Sequence, residues 1–221
     1  MITYHFYVIG CGGTGSLLAR DLPKLLTGTL HSITVVDGDV VEKKNIIRQG
    51  YQEQDITDNK ANVLSKKINA LYGVKTYAID KYITKDELLV RFSGDPRTVP
   101  VIIGCVDNDA TRKILEYTFN KCRKSIVYID SANGEYEGNI YVARKSNNVI
   151  TGTLRSSTYE LKEDLHPTDE SCEVQTAKGN IQYLVTNAKM AVGVLEHCNS
   201  LLEGKLKEGV QVVKRFETVF F

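Results

Sequence analysis

The sequence predicts an α/β fold: a mostly parallel sheet with helices on both faces and an antiparallel C-terminal extension. Three observations carry this. Apolar strand-like runs alternate with amphipathic helical runs through about residue 131. The first run ends in a glycine-rich turn that opens a helix. After residue 131 the next strand-like run comes with no helix between, which leaves only an antiparallel return.

The elements are taken in chain order. "YHFYVI" reads as a strand, and "SLLARDLPKLL" has helical spacing, with Pro23 expected to kink or shorten it. "SITVVD" is a second strand. "NKANVLSKKINALYG" is an amphipathic helix with Ala61, Leu64, Ile68 and Leu71 on one face and Gly73 as its stop. "VKTYAID" alternates like a strand, "TKDELLVRF" is a short helix and "VPVIIGCVD" a buried strand. "NDATRKILEYTFNKCR" is a helix, "SIVYID" a strand and "GNIYVARKS" the antiparallel strand. Residues 151–174 are polar and turn-rich, a crossover loop of a length that is usually functional. A long apolar helix, "NIQYLVTNAKMAVGVLEHCNSLLEG", and a final strand, "VQVVKRFETVFF", close the chain. That last strand alternates like an edge strand that could take a substrate tail or a second copy, although a core position is the plainer reading. With no internal repeat or low-complexity linker, residues 1–221 read as one domain.

Composition narrows the function classes. Lys and Arg number 28 against 27 Asp and Glu, so no charge excess points to nucleic acid or to an anionic membrane. No segment is apolar for long enough to span a bilayer, and the N-terminus carries no signal-peptide pattern. Five scattered cysteines without a CxxC pair exclude a cysteine-rich zinc site and fit reduced thiols in a cytoplasm. Cys11, Cys105, Cys122 and Cys198 read as packing residues. The four histidines show no metal-ligand spacing.

"GCGGTG" places Gly10, Gly12, Gly13 and Gly15 between a strand and a helix. This is the nucleotide-binding opening of a Rossmann-like fold: glycines let a phosphate approach the main chain, and the helix N-terminus offers unpaired N–H groups. Asp37 ends the next strand, 22 residues after Gly15, where a carboxylate accepts hydrogen bonds from ribose hydroxyls. The residues just beyond Asp37 are ones for which a dinucleotide enzyme has no use. Asn45, Arg48 and Gln49 lie three and four residues apart, on one side of a helical turn, and Lys60 opens the next long helix. A guanidinium, amides and an ammonium suit triphosphate oxygens. Each alone is an ordinary surface residue; the set is not.

"GCGGTGS", "DGDVVEKKNIIRQ", "DITDNKA" and "IIGCVDNDATR" together resemble, in order and spacing, the ThiF/MoeB adenylyltransferases and ubiquitin-activating enzymes. With "YIDSANG" and "SCEV" the likeness is greatest to the small stand-alone ThiF-like proteins of the bacterial PRTRC gene system. Thr57-Asp58 stands where the family usually has a glycine, and Lys44 where it has a serine. The resemblance implies a magnesium- and ATP-dependent enzyme that adenylates a carboxylate, usually the C-terminus of a ubiquitin-like or small carrier protein, with release of pyrophosphate. It implies that Gly10, Gly12, Gly13 and Gly15 hold the nucleotide, Asp37 binds ribose and Asp39 supports the loop. Asn45, Arg48 and Gln49 contact phosphates, Lys60 contacts the α-phosphate region, and Asp107 binds magnesium.

The physics of each role is sound: positioned cations stabilise developing phosphoryl charge, and magnesium takes a carboxylate with phosphates. As a helix N-cap, Asp107 has a second reading, with Asn108 the other candidate cap. Arg112 reads either as a partner of Asp107 or as a surface charge. Cys172, in the crossover loop, is the candidate nucleophile for a second, acyl-transfer step, with an ordinary half-buried cysteine as the equal alternative. His166 reads as its helper or as a solvated loop residue. The resemblance implies a homodimer in which relatives often supply an arginine from a helix preceding the first strand. With the first strand expected almost at Met1, either that arginine or the usual dimer arrangement is in question, and the two CxxC pairs of zinc-binding relatives are absent. Two other functions use the same turn: an NAD-dependent oxidoreductase and a non-catalytic nucleotide-binding scaffold.

Overall fold

The computed structural model describes residues 2–92, 94–164, 166–167 and 184–221. The elements run β1 (Thr3–Ile9), α1 (Gly13–Leu26), β2 (Ser32–Val36), α2 (Lys60–Tyr72), β3 (Thr76–Ile79), α3 (Glu87–Arg91), β4 (Thr98–Gly104) and α4 (Asp109–Lys121). They continue as β5 (Ile126–Asn133), β6 (Gly138–Ser146), β7 (Val149–Gly152), α5 (Leu184–Leu202), β8 (Gly209–Val213) and β9 (Thr218–Phe220). Short 3₁₀ turns lie at Lys43–Asn45, Glu53–Asp55 and Arg155–Ser157.

Among the described residues the strands form one sheet in the order β3-β2-β1-β4-β5-β6-β8-β9, with β7 also on β6. β3, β2, β1, β4 and β5 are parallel, and β6, β7, β8 and β9 join antiparallel. The fold is Rossmann-like. The order reverses between β1 and β4, so the turns leaving those two strands diverge and open a crevice at their C-terminal ends.

β1 shows why the sheet is covered on both faces. Phe6 and Val8 pack with α1, α2 and α5 residues such as Leu22, Leu64 and Val194, whereas Tyr7 and Ile9 pack with Leu88, Leu115 and Phe119. A strand buried on both sides must be apolar at every position, as "YHFYVI" nearly is. α2 starts on the Asn59 cap, whose side chain accepts from Asn62 N–H at 3.1 Å, and ends at Gly73 in the left-handed conformation. Ala61, Leu64 and Ile68 are buried as expected; Leu71 is 72% exposed, and Tyr72 takes the core contact in that last turn.

Three further expectations change. α1 is not shortened by Pro23: it runs through the proline and ends three residues later, at Leu26, where the apolar run itself stops. The terminal segment is not one strand but a hairpin: Lys214 N–H donates to Glu217 O at 2.7 Å, β8 lies inside the sheet and β9 at its edge. The crossover stretch is not structureless from residue 151. It starts in β7, makes the turn at Arg155–Ser157 and is then fastened to α4 through Asp164. Residues 165 and 168–174 of it, Cys172 included, lie outside the described residues.

A candidate nucleotide site at the ends of β1, β2 and β4

The glycine turn is built by close approach. Gly10 takes φ +87°, and a Cβ there would sit 2.7 Å from the Cys105 carbonyl oxygen. A Cβ on Gly15 would lie 1.9 Å from the Gly10 oxygen, so β1 and α1 meet only because both residues lack one. Gly12 is the N-cap of α1 and offers no side-chain cap, which leaves the first-turn N–H groups of the helix for a ligand. Its own Cβ position is open, with Gln49 Nε2 4.0 Å away. On the other flank, Asn187 of α5 packs against Gly13, 2.2 Å from where a Cβ would be.

Asp37 braces this turn. Its Oδ2 accepts Cys11 N–H at 2.6 Å and its Oδ1 accepts Asp39 N–H at 2.8 Å. Each oxygen keeps a second lone pair. Burial pushes its pKa up to about 6, Lys60 opposes that, and the Asp39 charge adds to it. Lys60, the buried first residue of α2, donates from Nζ to Asp39 Oδ2 at 2.6 Å. Burial works against the Lys60 charge, but Asp37 and Asp39 outweigh it and lift its pKa. Asp39 is held low in spite of burial, by the Lys60 charge and hydrogen bond and by the Tyr82 hydroxyl. Lys60 therefore stays an ammonium beside the glycine turn.

Asn45 and Gln49 are both buried, and Arg48 is half-buried. Asn45 shapes the loop: its Oδ1 accepts Glu42 N–H at 2.9 Å, and its carbonyl accepts the N–H groups of Arg48 and Gln49. Gly50 N–H then donates to Ser16 Oγ at 2.9 Å, and Tyr51 O–H to the Cys11 carbonyl at 2.8 Å, which seats the loop on the first turn of α1. Among the described residues the Arg48 guanidinium has no ion-pair partner, and two buried atoms flanking the glycine turn, Gln49 Oε1 and Asn187 Nδ2, have no hydrogen-bond partner.

Asp107 is exposed just past the end of β4 and is not the cap of α4. Asn108 is, accepting Thr111 N–H at 2.8 Å. Arg112 is neither a partner of Asp107 nor a surface charge. It is 7% exposed, bonds Asp109 at 2.8 Å and the Val106 carbonyl at 2.5 Å, and faces Asp130 at 3.6 Å. Among the described residues no group of three or more His, Cys, Asp or Glu side chains is placed to hold a metal. Asp107 with phosphate oxygens is the kind of donor set that magnesium takes.

Sequence reasoning missed several residues here. Tyr82 donates its hydroxyl to Asp39 Oδ1, and its ring faces that of His166 edge-on, 6.3 Å between centroids. Nothing local marked it. Asn187, Asn133 and Thr14 form a chain: Thr14 O–H donates to Asn133 at 3.3 Å, and Asn133 Nδ2 to Asn187 Oδ1 at 3.2 Å. An asparagine on the apolar stripe of a helix was the available signal. Asp130, fully buried, pairs with Arg155 Nε, and Arg155 also bonds Asn139 Oδ1 at 2.6 Å. A carboxylate inside "SIVYID" calls for such a cation. Asp164 accepts Asp109 and Ala110 N–H at 2.7 and 2.6 Å, and Asp109 accepts Lys162 N–H at 3.0 Å. The crossover stretch is thereby clamped beside Asp107.

A strand, a glycine turn with an uncapped helix behind it, and a carboxylate closing the second strand define a Rossmann-like nucleotide-site protein. The chain belongs to the ThiF family, whose profile matches residues 2–214. No curated protein matches it. Among solved structures it is similar to E. coli MccB with MccA-N7isoASN (14% identity, 100% of this chain and 63% of that one, TM-score 0.68). MccB with ATP is similar as well (16%, 99% and 63%, TM-score 0.65), and so is PaaA (16%, 99% and 63%, TM-score 0.64). At these identities the likeness is one of fold, and the chain spans about three fifths of the length of those proteins.

Proposed function

We propose that this protein is an ATP-dependent adenylyltransferase that activates a carboxylate at the C-terminus of a ubiquitin-like or small carrier protein or peptide. The observation that carries the reading is the charged pair Lys60–Asp39 standing beside Asp37 at an uncapped, glycine-lined helix N-terminus. An oxidoreductase has no need of an ammonium there. The solved relatives support it, since MccB has been determined with ATP and with MccA.

In this reading the ribose lies on the free lone pairs of Asp37, and the phosphates lie on the first-turn N–H groups of α1. Gln49, Asn187 and Arg48 flank them, and Lys60 faces the α-phosphate. A substrate carboxylate oxygen attacks the α-phosphorus, the bond to the bridging oxygen of the β-phosphate breaks, and pyrophosphate leaves. Arg48 and Lys60 stabilise the charge that develops. Magnesium held by Asp107 would neutralise the departing pyrophosphate. Attack of the Cys172 thiolate on the acyl-adenylate would release AMP and leave a thioester.

The test is exchange of labelled pyrophosphate into ATP in the presence of the carboxylate substrate. Wild type exchanges; Asp107→Ala and Arg48→Ala lose about 100-fold or more. Exchange that survives both substitutions overturns the reading.

A further inference from the structure

Both oxygens of Asp39 are engaged, and by different segments. Oδ2 holds Lys60 at 2.6 Å, and Oδ1 holds the Tyr82 hydroxyl. Tyr82 comes after β3, and its ring lies on Gly38: a Cβ at residue 38 would be 2.8 Å from Cγ, Cδ2 and Cε2 of the ring. Gly38 does not take a positive φ, so backbone freedom does not explain the glycine. The space occupied by the Tyr82 ring does. A lysine ammonium swings on a flexible four-carbon stem with many rotamers. Asp39 is itself half-buried at a turn, and a carboxylate pinned at one oxygen presents the other in one direction only.

We propose that Tyr82 is a positioning residue: by anchoring Asp39 it fixes the Lys60 ammonium on the α-phosphate side of the nucleotide site, and Gly38 is the clearance that admits its ring. This rests on the adenylation reading for its consequence and on the Tyr82–Asp39–Lys60 contacts for its geometry. Tyr82 reaches the reaction only through two other side chains.

Two substitutions break the relay in unrelated ways. Tyr82→Phe removes the hydroxyl and keeps the ring. Gly38→Ala removes no polar group and pushes the ring off the turn. Carbon-13 NMR of the full chain, labelled at Asp Cγ and Lys Cε, reads the result at fixed pH, with Asp39→Asn and Lys60→Arg as assignments. The expected result is that both variants shift the Asp39 Cγ and Lys60 Cε resonances in common. In pyrophosphate exchange both then lower kcat about 10- to 100-fold, as a misplaced group does, with the KM for ATP within about 3-fold of wild type. Unmoved resonances in Tyr82→Phe overturn the proposal, and so does a rise in KM at unchanged kcat. A wild-type protein that exchanges no pyrophosphate refutes the adenylation reading instead, and the NMR result then still decides whether Tyr82 holds Asp39 and Lys60.

Discussion

Thr57 is a β-branched residue at φ +79°, in the region that favours glycine. The surrounding backbone forces it there: its N–H donates to the Val41 carbonyl at 2.9 Å, and Val41 N–H donates to Asp58 O at 2.8 Å. The resemblance puts a glycine at this place. The Thr57 side chain is exposed, so removing it loses no core packing. A left-handed conformation costs an L-residue about 1–2 kcal/mol, and strained residues as a class about 1–3. A glycine gives back about 0.5–1 kcal/mol through the freedom it adds to the unfolded chain. Thr57→Gly should therefore stabilise the protein by about 1 kcal/mol. For a chain of this size that raises Tm by about 2–4 °C. Urea unfolding at 25 °C, with an unchanged m-value, measures it directly. Thr57→Ala keeps a Cβ and should fall well short of the glycine variant. A glycine variant no more stable than wild type would refute the strain argument.

Gly15→Ala should destabilise far more than Gly13→Ala in the same urea assay, by several-fold in ΔΔG, because its Cβ meets the Gly10 backbone rather than a side chain that can move. Arg155→Ala should cost about 3–5 kcal/mol, since it strips a fully buried Asp130 of its closest cation; a loss under 1 kcal/mol would count against that pairing. Asp37 has a folded pKa of about 6, above its ordinary 3.8, so its contribution to folding is complete below about pH 4 and is lost as pH rises through 6. Its readiness to accept from ribose runs the other way: stabilisation by ATP in a thermal melt should weaken as pH falls through 6. Asp37→Asn should lack that component, and the titration of the ATP phosphates, common to both proteins, cancels in the difference.

Wherever one segment carried the whole argument, the sequence was enough. The glycine turn, Asp37 at the end of β2 and Lys60 at the start of α2 are local: a strand, a turn and a cap each write their residue types over a few positions. The Asn108 cap was legible as an alternative for the same reason. Arg112 was legible only in part: Asp109, three residues back on α4, is within reach of an i,i+3 rule, but the buried Asp130 that it also faces comes from the neighbouring strand β5, and no spacing rule joins those two. Leu71 failed on a finer point, since periodicity fixes a face but not where along a helix the core stops. The final hairpin failed because Lys214–Glu217, where the chain reverses, contains no glycine, proline, asparagine or aspartate to mark a turn.

By itself, then, the sequence determined the order of the elements through β6, the parallel-to-antiparallel change and the residues that line the β1–α1 turn. Those come from short-range sterics and from hydrophobic period, which act along the chain. Only the tertiary structure decided that Tyr82 and Lys60 share Asp39, that Asn187 closes against Gly13, and that Asp164 clamps the crossover stretch to α4. Those contacts join residues distant in sequence, and buried polar groups choose their partners by what the packed core leaves within reach.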